Sequence, residues 1–407
     1  MRILILSINY WPEETGIGAF TTYRAEYLAS AGHEVTVCTT FPYYPEWKVA
    51  AEYRGRLKQD EERNGVRILR SYAYVPGRVT SLKRVAHEAS YIAGSFVRAA
   101  GAESPDVLLA VSPPLGLGLS AIALARKWGV PFVFDVEDLQ PDAAADLGML
   151  PGWAIRVMAG VEKAAYRHAA LVSTLTRGMR ERIVAKGVQA EKVVLFEPRA
   201  EKTLLNMADD DGADFRKRFE LGDRFVISHS GNMGVKQGLD VVLEAAHLCR
   251  ADKSVVFLMV GDGAAKDGIM RRARELGLTN VVFLPLLNAG DFKGLLAASD
   301  LCLVTQRRSV SDIVFPSKVV SYLAAGCAVV ASVNTGSEVA RAIQESGAGV
   351  VVEAENAAAL HEAICRLRTD HLPARRRAAR EYARNRWAED RVLGFFEQRM
   401  ANLGAGL

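Results

Sequence analysis

The sequence predicts an α/β protein built from two doubly wound domains, each with a parallel sheet covered by helices. First, short apolar runs alternate with helix-length segments along the whole chain. Second, the apolar runs lack a polar face, which is typical of parallel strands buried on both sides. Third, the chain has 407 residues, enough for about two domains, and a polar segment at 198–214 separates two similar halves.

The strands and helices follow one another in the order that such a fold requires. In the first half, strands are predicted at 3–8, 34–39, 107–111, 132–136, 171–174 and 193–197, and helices at 18–31, 115–128 and 151–168. In the second half, strands are predicted at 225–230, 255–260, 281–284, 301–305, 328–332 and 349–352. Helices are predicted there at 238–251, 266–276, 291–298, 317–325, 337–344 and 357–368.

The domains are expected to divide near residue 205. Residues 1–205 then form one Rossmann-like domain and residues 206–373 a second. The segment 374–407 contains a strongly helical run and is a candidate to pack back on the first domain.

Composition excludes several classes of protein. A net charge of +4 is too small to indicate nucleic-acid binding by itself. Five scattered cysteines without a Cys-x-x-Cys pair argue against a disulfide framework and a zinc cluster, and for a reducing cytoplasm. No histidine has the spacing of a metal motif, so no bound metal is expected. The first residues do not resemble a signal peptide.

One segment is long enough to be tested as a membrane span. Residues 107–125 carry no charge, but Pro113 and Pro114 interrupt them and Gly116 and Gly118 follow. A strand, a turn and a helix are therefore predicted there.

Three loops of the second half are candidates for anion binding. Ser230-Gly231-Asn232 leads through Lys236 towards a helix, and Ser317-Lys318 begins another helix, so free backbone N–H groups lie beside a lysine in both. Two such loops in one domain predict a clamp for a nucleotide diphosphate, whereas either alone fits a solvated turn equally well. Gly261-Asp262-Gly263 follows a third strand, where close approach to a ligand and a plain tight turn both remain open.

The first half offers weaker candidates. Gly16 and Gly18 lie between a strand and a helix without a full dinucleotide-binding pattern. Asp135, Glu137 and Asp138 end a strand, where carboxylates suit either substrate contacts or helix capping. The stretch 78–98 mixes basic and aromatic residues, and it fits an anionic membrane surface or an ordinary amphipathic helix.

The motifs resemble glycosyltransferase family 4 over essentially the whole chain, in particular bacterial colanic-acid, exopolysaccharide and O-antigen transferases similar to fucosamine transferases. The resemblance is carried by five segments: 9–18, 42–45, 230–238, 260–263 and 316–318. It implies the GT-B architecture, in which two Rossmann-like domains face each other across a cleft, the first binding the acceptor and the second the nucleotide sugar.

The resemblance also implies roles for individual residues. The donor diphosphate would contact Gly16, Gly18, Asn232, Lys236, Ser317 and Lys318. The nucleotide and sugar would contact Gly261, Asp262, Gly263, Leu286, Asp312 and Ser321. The acceptor would contact Tyr43, Tyr44 and Trp47, and the catalytic residues would be Asp138, Lys236 and Lys318.

The chain departs from the family at one place. Many relatives carry two glutamates around the 317–318 loop, and those positions here are Ile313 and Ser321. Asp312 adjoins the first of them and is a candidate substitute.

The activity implied is a retaining, metal-independent transfer of a sugar from a nucleotide-diphosphate sugar to a saccharide acceptor, lipid-linked in this subgroup. No cofactor is implied beyond that co-substrate. The expected location is the cytoplasm, with a peripheral contact to an anionic inner membrane as one alternative, and no nucleic acid is expected as a partner. An epimerase or hydrolase of the same fold, or a non-catalytic nucleotide-sugar-binding subunit, remains an alternative; the missing third glycine argues against a nicotinamide-dependent dehydrogenase.

Overall fold

The protein divides into two compact units, each with its own sheet. A computed structural model describes residues 1–13, 16–146, 150–208, 211–310 and 317–406. The first unit comprises Met1–Glu197 together with Leu393–Leu407, and the second comprises Pro198–Val392. The division follows Glu197, close to the expected boundary at residue 205.

The described part of the first unit contains an eight-stranded sheet in the order β3-β4-β2-β1-β5-β6-β7-β8. Its strands are β1 (Arg2–Leu6), β2 (Glu34–Thr40), β3 (Lys58–Arg63), β4 (Val66–Ser71), β5 (Val107–Ser112), β6 (Phe132–Val136), β7 (Leu171–Thr174) and β8 (Val193–Leu195). All neighbouring strands pair in parallel except β3 and β4. The doubly wound parallel sheet is therefore confirmed, with one antiparallel edge.

The β3–β4 hairpin was absent from the sequence prediction. Strand β3 reads Lys-Gln-Asp-Glu-Glu-Arg, without an apolar residue, and its side chains alternate between exposed and half-buried. A charged strand of this kind protects the edge of a sheet against pairing with another chain, but it gives no apolar pattern by which to find it.

The helices of the first unit connect its parallel strands. They are α1 (Ile17–Ser30), α2 (Ser81–Ala100), α3 (Leu117–Trp128), α4 (Gln140–Asp146), α5 (Gly152–His168) and α6 (Arg177–Ala185). Strand β5 and helix α3 occupy the uncharged segment 107–125, which confirms the predicted strand and helix. Among the helices of the described residues, none is both long enough and apolar enough to cross a bilayer.

The second unit contains a six-stranded, wholly parallel sheet within its described residues, in the order β11-β10-β9-β12-β13-β14. Its strands are β9 (Phe225–Asn232), β10 (Val255–Asp262), β11 (Val281–Leu284), β12 (Leu301–Thr305), β13 (Ala328–Val333) and β14 (Gly349–Glu353). The strand order reverses between β9 and β12, which is where ligands bind in sheets of this kind.

The helices of the second unit cover both faces of its sheet. They are α7 (Lys202–Leu205), α8 (Ala213–Arg218), α9 (Asp240–Leu248), α10 (Lys266–Glu275), α11 (Ala289–Ala298), α12 (Ser317–Ala324), α13 (Glu338–Ser346), α14 (Ala357–Arg368) and α15 (Leu372–Trp387). The last helix of the chain, α16 (Glu389–Gly404), begins in this unit and ends in the first.

The return to the first unit begins at Leu393 rather than at residue 374. Helix α15 stays with the second unit because Ala379, Ala383 and Trp387 lie in its apolar core. In α16, Phe396 packs its ring edge-on against Phe196, with ring centroids 4.7 Å apart, and is fully buried in the first unit.

A buried ion network ties helix α1 to the sheet of the first unit. The Arg24 guanidinium donates to Asp135 Oδ2 at 2.6 Å and to Glu137 Oε1 at 3.3 Å, and it also donates to the Phe196 carbonyl at 3.0 Å. Ser173 Oγ donates to the other oxygen of Asp135 at 2.7 Å. Arg24 is 2% exposed, so these charges are compensated by one another and not by solvent.

We expect the substitution Arg24→Met to lower the stability of the first unit by about 3–5 kcal/mol, because it leaves the Asp135 carboxylate buried without its cation. Differential scanning calorimetry measures the loss, and hydrogen exchange at β1 and β6 assigns the transition to this unit. The control is Arg67→Met, since Arg67 pairs with Asp60 on the surface at 3.6 Å and such pairs contribute about 0–1 kcal/mol. Equal losses in the two variants would contradict the role of the buried network.

Candidate active site

The ends of β9 and β10 approach each other more closely than side chains would allow. Gly231 and Gly261 are paired in register, and a β-carbon on Gly261 would lie 1.9 Å from the Gly231 carbonyl oxygen. Their φ angles of +105° and +132° also favour glycine. The two loops that follow therefore leave the sheet side by side.

Backbone bonds hold these two loops together. Met233 N donates to the Asp262 carbonyl at 2.7 Å, and Ala265 N donates to the Met233 carbonyl at 2.9 Å. At Gly263, a β-carbon would lie 2.5 Å from Asn232 Oδ1, so this glycine is also required by packing. The arrangement leaves the side chains of Asn232 and Asp262 exposed at the carboxyl edge of the sheet.

Lys236 lies in a short 3₁₀ turn and not in the first turn of a helix. The turn spans Val235–Gln237, and α9 begins only at Asp240. The side chain of Lys236 is exposed, while its carbonyl accepts a bond from Arg307 N at 2.9 Å. We expected Lys236 to lie beside the first turn of a helix. In the structure it lies instead in the 3₁₀ turn that precedes α9.

The Lys318 ammonium is buried, and the described residues supply no carboxylate to compensate it. It is the second residue of α12, and its Nζ is buried and has no hydrogen-bond partner among the described residues. A β-carbon on Gly231 would lie 3.7 Å from this Nζ, so the ammonium lies beside the end of β9. Burial lowers the pKa of Lys318 from 10.5 to about 8.

The position of α12 is fixed by its own tyrosine. Tyr322 is fully buried, and its hydroxyl accepts a bond from Ser230 N at 3.0 Å and lies 2.8 Å from Ser230 Oγ. Because Ser230 precedes Gly231, these bonds hold Lys318 and the end of β9 in one rigid arrangement.

His229 was not among the predicted site residues. It is fully buried in β9, and burial, followed by the charge of Lys318, holds its pKa well below the ordinary value. The imidazole is therefore neutral, and it adds no second cation beside Lys318. A polar residue within the apolar strand Phe225-Val226-Ile227-Ser228-His229 is the pattern that could have indicated it.

The structure places the remaining candidates of the second unit at the same edge of the sheet. Ser317 is exposed at the start of α12, and Ser321 is half-buried one turn later. Leu286 follows β11 and is 73% exposed. Asp312 and Ile313 lie outside the described residues, so the expected substitution for a family glutamate stays a prediction.

In the first unit, two of the three clustered carboxylates are structural. Asp135 and Glu137 belong to the Arg24 network, and burial together with the charge of Asp135 raises the pKa of Glu137 to about 8. Asp138 is half-buried just beyond β6 and is the member of the cluster nearest to solvent. Its catalytic role stays a prediction.

Gly16 and Gly18 are glycines for different reasons. Gly16 has a φ of +57° at the start of α1, and among the described residues no atom lies within 4 Å of a β-carbon placed there and no side chain caps the helix. Gly18 is packed against Glu13, whose carbonyl oxygen would lie 2.6 Å from a β-carbon. Gly16 thus has the space that a ligand needs, while Gly18 is explained by packing.

The aromatic loop after β2 is held by Glu13. Its Oε1 accepts bonds from Tyr43 N at 2.8 Å and Tyr44 N at 2.7 Å, and its Oε2 accepts one from Asn9 at 2.7 Å. Tyr43 is buried and packs against Trp47 and His87, with centroids 5.4 and 4.6 Å away. Of the three predicted acceptor residues, Tyr44 and the half-buried Trp47 are therefore accessible, and Tyr43 supports them from below; their contact with an acceptor stays a prediction.

Glu13 was missed as a positioning residue, although it lies in the segment 9–18 that carries the family resemblance. Its role depends on bonds to residues 30 and 31 positions away, which no local pattern reveals. Among the described residues, no group of three or more His, Cys, Asp or Glu could hold a metal ion.

Comparisons with known proteins agree with this geometry. Residues 15–199 match the family described as "Glycosyl transferase 4-like domain", and residues 210–386 match "Glycosyl transferases group 1". The chain is 35% identical over 406 residues to the "Putative colanic acid biosynthesis glycosyl transferase WcaI" of Escherichia coli, covering 97% of this chain and 98% of that one. The chain belongs to glycosyltransferase family 4.

Solved structures confirm the fold class of this glycosyltransferase as GT-B. Sucrose-phosphate synthase from Thermosynechococcus elongatus is similar with a TM-score of 0.77 at 17% identity, and both chains are covered completely. The Anabaena protein Alr3699/HepE in complex with UDP-glucose has a TM-score of 0.69 at 18% identity, also with complete coverage of both chains.

We expect the affinity of this glycosyltransferase for a nucleoside diphosphate to fall about tenfold between pH 7 and pH 9. Lys318 is charged below its pKa of about 8 and neutral above it, so binding that requires the ammonium weakens as the pH rises through that value. Isothermal titration calorimetry across this range measures the slope.

The matched variant is Lys318→Met. It should bind weakly and without this pH dependence, while its melting temperature stays equal to or above that of the wild type because an unpaired buried charge is gone. The same pH slope in both proteins would contradict the assignment.

Proposed function

We propose that this glycosyltransferase transfers a sugar from a nucleotide-diphosphate sugar to a lipid-linked saccharide, with retention at the anomeric carbon and without a metal ion. The second unit binds the donor and the first unit binds the acceptor. The observation that carries the proposal is the buried ammonium of Lys318, which has no hydrogen-bond partner among the described residues. A buried unpaired charge is costly, and an anionic ligand at the same place compensates it.

The donor diphosphate is the anion that fits this edge of the sheet best. Lys318 lies beside Gly231, the exposed Lys236 lies on the loop that follows it, and the first turn of α12 offers N–H groups. As the bond to the sugar breaks, negative charge grows on the leaving diphosphate, and cations already in position stabilise it without rearrangement. Two lysines supply the positive charge that a divalent ion supplies in other diphosphate sites, which is why we propose a metal-independent reaction.

The remaining donor contacts follow from exposure at the same edge. Asp262 is exposed at the end of β10, between the buried Gly261 and the half-buried Gly263, and the exposed Leu286 offers an apolar contact to a base. HepE is named as a complex with UDP-glucose, which supports a nucleotide-sugar donor for this chain as well.

The proposed acceptor contacts lie on the loop 43–47, which Glu13 holds in place. Tyr44 presents an exposed aromatic face, and such faces pack against saccharide rings. The WcaI relative is named for colanic acid biosynthesis, which supports a place for this enzyme in the assembly of an exopolysaccharide or O-antigen.

A peripheral contact with an anionic membrane is also part of the proposal. Near the start of α2, the side chain of Leu82 is 83% exposed and that of Val85 is 57% exposed, and Lys83 lies between them in sequence. Helix α2 packs against α3, and α3 packs against α5, whose exposed Trp153 lies at the start of that helix. Exposed apolar residues beside lysine fit the boundary between headgroups and acyl chains of an anionic bilayer. His87 and Tyr91 are buried and do not belong to this surface.

We expect Lys236→Ala to lower turnover about 10²–10³-fold, because it removes one stabilising cation from the leaving diphosphate. The measurement is acceptor-dependent release of nucleoside diphosphate from a panel of nucleotide sugars, and NMR of the product reports the anomeric configuration. Release that does not depend on an acceptor would favour a hydrolase, and binding without release a non-catalytic subunit.

The matched control is Lys253→Ala. Lys253 is an exposed lysine that precedes β10, at the opposite edge of the same sheet. It should keep wild-type turnover, and a chelator should leave both proteins unchanged. Wild-type turnover in Lys236→Ala would overturn the proposed role of this lysine.

For the membrane contact, we expect the double variant Leu82→Ser, Val85→Ser to lose binding to vesicles that contain phosphatidylglycerol, measured by co-sedimentation. Loss of both apolar side chains removes the part of the helix that enters the bilayer. The control is Val97→Ser, which changes an exposed valine at the other end of α2. Equal binding by all three proteins would rule out this surface.

A further inference from the structure

Two buried polar side chains near Lys318 have no part in the donor contacts above. His229 is 0% exposed, and neither of its ring nitrogens has a hydrogen-bond partner among the described residues. The backbone groups of Asn232 and Leu303 lie near the ring but outside hydrogen-bonding geometry. Thr305 is 2% exposed, and its Oγ1 has no partner among the described residues either. Buried polar atoms are almost always bonded to protein or to ordered water, so these three atoms require an explanation.

The strand register places both side chains on the same face of the sheet. Strands β9 and β12 pair in parallel, with Leu301 opposite Ile227. Ile227, Leu301 and Leu303 belong to one core cluster and so point to one side. Since strand residues two or four apart share a face, His229 follows Ile227 on that side and Thr305 follows Leu303. The two polar side chains therefore lie on neighbouring strands, towards their carboxyl ends.

The Lys318 ammonium reaches the same face over the end of β9. A β-carbon on Gly231, two residues after His229, would point to this side and would lie 3.7 Å from Lys318 Cε and Nζ. Apart from the neighbours of Gly231 in the chain, no other atom of the described residues lies within 4 Å of that position. The missing side chain thus leaves a space beside the ammonium, large enough for one water oxygen.

The chemistry of the three groups is complementary to a water molecule. An ammonium has only donors, whereas a neutral imidazole has one nitrogen that accepts and a hydroxyl has an oxygen that accepts. Where such groups face one another beyond hydrogen-bond distance, a bridging water satisfies them. A buried water makes about three hydrogen bonds to groups that lack other partners, and three side chains are present here.

We propose that one water molecule beside Gly231 joins the Lys318 ammonium to His229 and Thr305. The ammonium donates to the water oxygen, and the water donates to the imidazole nitrogen and to the threonine hydroxyl. His229 and Thr305 are then positioning residues, which hold the ammonium in place before the donor diphosphate binds. A lysine side chain has many rotamers, and binding is tighter when that freedom has already been lost. The inference rests on the proposed function and deepens its donor site.

The first test removes each acceptor and then restores it. The ligand is whichever of UDP, GDP and ADP binds the wild type most tightly, titrated into the full chain by isothermal titration calorimetry. We expect His229→Leu and Thr305→Val each to weaken binding about tenfold, because each removes a buried hydrogen bond in a network that holds a charge. Thr305→Ser keeps the hydroxyl and should bind as the wild type does. His229→Gln keeps an acceptor and should bind more tightly than His229→Leu.

A double-mutant cycle shows whether the two residues act through the lysine. In a Lys318→Met background, Thr305→Val should cause no further loss of affinity, because the ammonium that it positions is gone. The matched control is Ser228→Ala, one residue before His229 and on the opposite face, where Ser228 Oγ accepts a bond from Ser299 at 2.8 Å. It should lower the melting temperature and leave the affinity unchanged. Circular dichroism identifies the folded variants at the temperature of the titration.

A crystal structure of the nucleotide-free protein should show a water about 2.7–3.2 Å from Lys318 Nζ, and Thr305→Val should lose it. A wild-type structure without this water overturns the proposal. Wild-type affinity in both His229→Leu and Thr305→Val, equal losses in Thr305→Val and Thr305→Ser, or additive losses in the cycle also overturn it. If Lys318→Met still weakens binding, the proposed function stands and only the positioning is wrong. If Lys318→Met binds as the wild type does, the proposed role of this lysine is wrong as well.

Discussion

The close pairing of β9 and β10 through their last residues is the constraint on which the site of the second unit depends. A β-carbon at Gly261 would lie 1.9 Å from the Gly231 carbonyl oxygen, so any side chain there would push the two strands apart. Separation would move both loops and the backbone against which Lys318 packs. The bonds from Ser230 to Tyr322 couple α12 to the same strand end. The two glycines therefore determine the position of the Lys318 ammonium as well as the path of the two loops.

Arg24 and Lys318 both have buried charges, and the desolvation cost of the first is compensated within the fold while that of the second is not. Arg24 is surrounded by Asp135, Glu137 and the Phe196 carbonyl, so its charge is compensated whenever the first unit is folded. Lys318 has no such group among the described residues, and its pKa is lowered to about 8. A buried charge that the described residues leave unpaired is a common property of functional sites, and this supports the proposed anion site.

The fold could be predicted from the sequence wherever strands are buried on both faces. The apolar runs that become β6, β7 and β12 have the predicted bounds, because helices cover both sides of these strands. The hairpin β3–β4 was missed because β3 lies at an edge and carries charge at nearly every position. The return to the first unit at Leu393 lies within the segment 374–407 that was expected to pack back, but the sequence does not locate it, because α15 and α16 are both helical and differ in which core they enter.

The candidate site was easier to predict in the second unit than in the first, and the reason is physical. In the second unit, glycines, a lysine and a helix start lie within a few residues of each strand end, so local sequence specifies the backbone that carries the charge. In the first unit, Glu13 fixes the loop at Tyr43 across 30 positions, and Arg24 neutralises Asp135 across 111. Contacts of that length depend on the packed sheet. A site built from them becomes visible only when the fold is known.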